Sequence, residues 1–139
     1  MSRENIELAR KGYDAFMRRD LAAALELLDP DIEATDPPEM PDHAVHRGRE
    51  AVRRDWERTL ELFDDFSIDI EETFDAGDEV VLYLRYAGRG RESGAEVELR
   101  MAHVWTIRDG KAIRLLEFLD RDQALAAAGL GGPTTSKDS

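Results

Sequence analysis

The first sixty residues carry apolar positions at a helical period. Ile6, Ala9, Tyr13 and Phe16 recur at that spacing among Arg and Lys, which predicts a helix over Glu4–Arg19. Asp20 stands as the N-cap of a second helix, Leu21–Leu28, which Pro30 stops. From Asp31 to Asp36 the pattern is a short strand, with Ile32, Ala34 and Asp36 on one side and Glu33 and Thr35 on the other. Pro37, Pro38 and Pro41 make the next dozen residues a loop. Helix returns over Arg49–Phe63, with Val52, Trp56, Leu60 and Phe63 as its apolar stripe.

Beyond Phe63 the period becomes two. Phe66, Ile68, Ile70 and Phe74 alternate with Ser67, Asp69, Glu71 and Thr73, and Gly77-Asp78 turns the chain into a strand over Val80–Ala87. Gly88–Gly94 reads as a loop and Val97–Arg108 as another strand. Asp109-Gly110 is a two-residue hairpin signal leading into Lys111–Leu119. Asp120 with Gln123 forms a capping pair for a short closing helix, Arg121–Ala128, and the Gly, Pro, Ser and Thr tail from Gly129 to Ser139 is expected to be disordered. Helices followed by a run of strands predict an α+β domain over residues 3–128, with helices covering one face of an antiparallel sheet.

Composition narrows the function classes. A chain of 139 residues is the size of one domain, large enough for a core and a modest pocket. It has no cysteine, which excludes disulfides, thiolate nucleophiles and cysteine-based zinc sites. The 31 acidic residues against 19 Lys and Arg, net −12, repel phosphate backbones and anionic lipid, so neither nucleic acid nor membrane is an expected partner. Met1–Leu8 is polar, and the expected compartment is the cytoplasm.

Four stretches carry a resemblance: Gly12–Phe16 followed by Arg19–Leu21; Asp29–Asp31; His46–Val52; and Val104–Lys111. With the element order, they make the chain resemble the SnoaL-like branch of the NTF2-like superfamily, which includes ketosteroid isomerases, polyketide cyclases and limonene-epoxide hydrolases. The resemblance implies a curved sheet wrapped around a long helix, leaving an apolar conical cavity. It points the apolar strand faces inward: Ile32, Ala34 and Asp36; Leu99, Met101 and His103; Ile113, Leu115, Glu117 and Leu119. Members share the cone and differ in the chemistry inside it.

Three ionisable groups fall where those faces call for hydrocarbon. Asp36 matches the isomerase carboxylate that shuttles a proton between carbons; the alternative is an Asp that caps the following turn. His103 matches the isomerases' oxyanion-stabilising aspartic acid and the cyclases' acid/base aspartate, and a histidine there keeps a proton-handling group; the alternative is a core histidine with its hydrogen bonds met. Glu117 matches one epoxide-hydrolase carboxylate, but Ala34, Asp36, Leu84 and Tyr86 replace the rest of that set, which disfavours epoxide hydrolysis. Tyr13, Phe16, Trp56, Tyr86, Leu99, Met101 and Glu117 are expected to line the pocket, with Asp36 and His103 as its catalytic pair. His43 and His46, with Asp42 and Glu39, imitate a metal cluster, but they lie in a Pro-rich loop without helical spacing, and neither metal nor cofactor is expected.

Two functions remain open on these residues. One is cofactor-free acid/base isomerisation, cyclisation or dehydration of a small apolar molecule. The other is a ligand-binding or dimerisation module without catalysis. Val81, Tyr83, Val104, Leu116 and Phe118 offer the outer sheet face for a homodimer.

Overall fold

The computed structural model describes residues 2–130, and their order is α1 (Ser2–Met17), α2 (Leu21–Glu26), β1 (Leu28–Thr35), β2 (Val45–Arg47), α3 (Arg49–Leu62), β3 (Phe63–Ala76), β4 (Glu79–Gly90), β5 (Glu96–Arg108), β6 (Lys111–Phe118) and α4 (Arg121–Ala127). The strands form one open sheet in the order β2-β1-β6-β5-β4-β3. It is a mixed sheet, not the purely antiparallel one predicted. β1 lies parallel to β6, with Ala34 opposite Leu115, because the chain returns from the far edge to pair its last strand with its first. The predicted 37–48 loop also holds β2, which pairs antiparallel with β1. Together these elements give the α+β cone that the resemblance implies.

Local chemistry sets the boundaries. Asp20 caps α2 by accepting from Ala23 N at 3.1 Å. That helix ends at Glu26, and Pro30 lies inside β1 rather than behind a longer helix. Pro30 has no N–H for the ladder, and the β1–β6 register shifts between Leu28 and Glu33. Both Asp109 and Gly110 have positive φ, 54° and 75°, as a tight turn between β5 and β6 requires. The predicted Gly88–Gly94 loop is shorter than expected, since β4 runs to Gly90.

Two bulges change which residues face inward. In β3 the register steps from Ile70↔Leu84 to Glu72↔Tyr83, so Ile68 and Ile70 pack in the inner core while Phe74 packs on the outer face. In β6 the register passes from Thr106↔Arg114 to Ile107↔Ala112 and leaves Ile113 unpaired, so Ala112 faces the interior in its place. Ile113 is therefore not part of the cavity wall, and neither is Leu119, which lies past the end of β6, contrary to simple alternation.

The inner core joins Ala9 and Tyr13 of α1 to Ile32, Val80, Leu82, Leu84, Trp105 and Leu115 of the sheet. On the other face α4 forms a second core, with Ala124 at 0% exposure against Val81, Ala102 and Val104. Asp120 caps α4 through Asp122 N at 3.0 Å, so the cap bond goes to the second helical residue and not to the predicted Gln123. Gly129, at φ 78°, closes the helix, with Gly129 N on Ala126 O and Leu130 N on Leu125 O. The apolar side chains expected to offer a dimer face thus lie under α4: Val81 and Val104 are buried, and Tyr83, Leu116 and Phe118 pack around them. The expectation of a disordered tail lies, from residue 131 on, outside the described residues. Among the described residues no helix is long and apolar enough to cross a membrane.

Candidate functional site

Between α1, α3 and the inner sheet face is a cavity of about 590 Å³. All nine residues expected at the site border it, Asp36 and His103 included. The sheet register explains why several of them meet. Ala34, Leu115 and Trp105 form one row across β1, β6 and β5, and the next row pairs Glu117 with His103 and continues to Asp36 just past β1. Period-two alternation turns that whole row toward the cavity.

His103 is 3% exposed and is held at both ring nitrogens. Tyr13 Oη lies 2.5 Å from Nδ1, Tyr86 Oη 3.0 Å from Nε2, and Glu117 Oε2 3.1 Å from Nε2. Trp105 Nε1–H donates to Tyr13 Oη at 2.8 Å. Indole only donates, so Tyr13 accepts from Trp105 and has its own proton left to give. Nδ1 of His103 is the acceptor at hand. A proton on Nδ1 would strand that of the buried Tyr13 hydroxyl, at about 1–3 kcal/mol. The ring therefore carries its proton on Nε2, where Glu117 and the Tyr86 oxygen share it. Donation thus runs Trp105, Tyr13, His103 and ends at the Tyr86 hydroxyl, whose own proton has no acceptor among the described residues and is available to the cavity. Burial pushes both phenols far above the ordinary tyrosine value. The Trp105 bond partly offsets this for Tyr13, and the Glu117 charge adds to it for both, so both stay protonated.

A second imidazole–carboxylate group faces the same space. Asp36 Oδ2 accepts from Ala44 N at 3.2 Å, as a turn cap does, and the residue also borders the cavity. His46, the middle residue of β2, turns inward between exposed Val45 and Arg47. Its Nε2 lies 3.1 Å from Asp36 Oδ2 and 3.7 Å from Asp55 Oδ1. Asp55 comes from α3, whose N-cap Gly48 has φ 86°, a conformation that favours glycine. Burial raises the Asp55 carboxyl above its ordinary value; the Asp36 and Glu117 charges add to this, and His46 opposes it. Single ligand-capable atoms of Asp36, His46 and Asp55 lie within 4.8 Å of one another, the group best placed to hold a metal ion. Of the loop residues that imitated a metal cluster only His46 joins it; His43 Nδ1 instead lies 2.9 Å from Met40 O and is exposed.

The profile of the SnoaL-like domain matches residues 9–115, which span most of the cone and, of the ionisable groups of this site, all but Glu117. The chain belongs to the SnoaL-like family. Among solved SnoaL-like and NTF2-like structures, it is similar to an NTF2-like protein from Burkholderia thailandensis, at 31% identity and TM-score 0.74 over 88% of this chain and 95% of that one. It is also similar to TerC crystallised with polyporic acid, at 25% identity and TM-score 0.75 over 91% and 97%. A SnoaL-like protein from Jannaschia has the same fold, at 20% identity and TM-score 0.76 over 95% of both chains. The comparison with curated proteins finds no match.

Within this SnoaL-like cone, sequence reasoning missed Asp55 and gave His46 no place at the cavity. A signal for Asp55 existed: Val52, Asp55, Trp56 and Thr59 follow the i, i+3, i+4, i+7 spacing of one helical face, and the last three border the cavity.

Proposed function

We propose that this SnoaL-like cone catalyses cofactor-free proton transfer on a small apolar carbonyl compound, in an isomerisation, cyclisation or dehydration. The observation that carries the reading is the pair of imidazole–carboxylate groups, Asp36–His46 and Glu117–His103, bordering one largely apolar cavity. Moving a proton between two positions of a substrate needs one group to take it and another to deliver it, with water largely excluded. Asp36 takes the proton. His103 acts through its Nε2–H bond to the Tyr86 oxygen, and the Tyr86 hydroxyl, with its own proton free, meets the substrate oxygen. This differs from the resemblance, in which the residue at position 103 contacts substrate itself; here both ring nitrogens are engaged by protein groups. A relative at 25% identity is crystallised with polyporic acid, which supports a cavity of this kind holding an organic molecule.

2-Tetralone, an apolar ketone with acidic C–H bonds beside its carbonyl, tests the reading without knowledge of the natural substrate. In deuterium oxide the protein should accelerate exchange of those protons as followed by NMR, and Asp36→Asn should return the rate to that of buffer. A second reading, a binding cavity without catalysis, draws on the internal satisfaction of His103. Binding of 2-tetralone with no exchange above buffer would establish it in place of the first.

A further inference from the structure

We infer that the cavity selects ligands carrying a protonated amine on a flat apolar body. This rests on the reading of the cavity as a substrate site and names the class of substrate. Its ionisable wall is unbalanced: four carboxylates, Asp36, Asp42, Asp55 and Glu117, face it against a single guanidinium, Arg58. The four carboxylates outnumber the guanidinium and the two imidazoles, His46 and His103, together. Three of these carboxylates interact within the cavity, since the Asp36 and Glu117 charges, after burial, resist ionisation of Asp55.

The second observation is independent of charge. Trp56, Phe16, Phe66 and Tyr86 form, in that order, a chain of ring contacts with centroids 5.6, 6.2 and 5.6 Å apart and planes 74–85° from one another, so ring faces and edges alternate along the wall. Ring faces attract cations as well as apolar surface. Trp56 follows Asp55 on α3, and both border the cavity, which places an indole beside a carboxylate. An anion would meet repulsion on most sides, and a neutral ligand would gain nothing from the charge of the carboxylates. A cavity of about 590 Å³ is also far larger than a metal ion needs, and suits a drug-sized organic molecule.

Calorimetric titration with three compounds of one skeleton, 1-naphthylmethylamine, 1-naphthalenemethanol and 1-naphthoic acid, tests the inference. The amine should bind roughly tenfold or more tightly than the alcohol, and the acid most weakly. Asp55→Asn should shrink the amine's advantage and leave the alcohol unchanged. Equal affinity for amine and alcohol, or acid binding as tight as amine, overturns the inference while leaving the cavity a ligand site. If none of the three binds, the inference and the substrate-site reading fall together. Zinc or manganese ions that bind more tightly than the amine and displace it would assign the carboxylates to a metal and overturn the inference as well.

Discussion

His103 is gripped at both ring nitrogens, so replacing it has a structural effect that can be measured apart from any catalytic one. In His103→Leu the buried Tyr13 hydroxyl loses its acceptor, and the variant should lose about 1–3 kcal/mol in urea denaturation. Adding Tyr13→Phe removes that hydroxyl but leaves the Trp105 indole N–H without its acceptor, so the double variant should lose less than the sum of the two single losses; simple additivity would show that the donation does not run through Tyr13. Asp55 offers a test of opposite sign. A carboxyl whose folded pKa lies above its unfolded one contributes stability that is full below the unfolded pKa and lost as pH rises through the folded value. Asp55→Asn should therefore match the parent in acid and exceed it in stability at neutral pH, as urea midpoints across the carboxylate range would show. Asp36 and His103 were visible in the sequence because each interrupts a period-two apolar face. Asp55 was hidden because the helical stripe was drawn through Val52, Trp56, Leu60 and Phe63, whereas the cavity face of α3 runs through Asp55, Trp56, Thr59 and Leu62. His46 sits on a three-residue strand, too short for alternation to reveal.

At the scale of elements, α4 works as a cover for the outer face. Its Ala124 meets Val81, Ala102 and Val104, while Arg121 lies 5.1 Å from the Phe74 ring and pairs with Glu72 at 2.7 Å. A chain ending at Leu119 would uncover that apolar surface. It should be less stable, and its sedimentation coefficient should rise with concentration, since an exposed apolar sheet face promotes association. An unchanged, concentration-independent coefficient would mean that α4 protects nothing. Helices, hairpins and caps followed closely from periodicity and turn chemistry. The two bulges and the parallel pair did not: a bulge depends on one unpaired residue, and parallel pairing depends on which distant strand is left to cover an edge.

Across the whole molecule, negative charge and ion pairs divide the outer surface. Arg85 bridges Asp69 and Glu98, and Arg100 bridges Glu71, forming a polar lattice over β3, β4 and β5 beside the part that α4 covers. Exposed pairs of this kind add little stability each, about 0–1 kcal/mol, and serve mainly to keep a strand surface wetted.

The parallel β1–β6 pair also fixes when the cavity can exist. A chain leaving the ribosome presents α1, β1, β2 and α3 early, yet the parallel partner of β1 is the last strand to emerge. Until Lys111–Phe118 is available, the cone has an unfilled slot between its first and fifth strands, and Glu117 is absent from His103. The site is thus withheld from partly synthesised chains. Its closure must also bring together the first third and the last quarter of the sequence, a non-local step that slows folding. Refolding followed by the fluorescence of Trp105, which packs beside Leu115 on that final strand, should show its main phase in roughly the millisecond-to-second range.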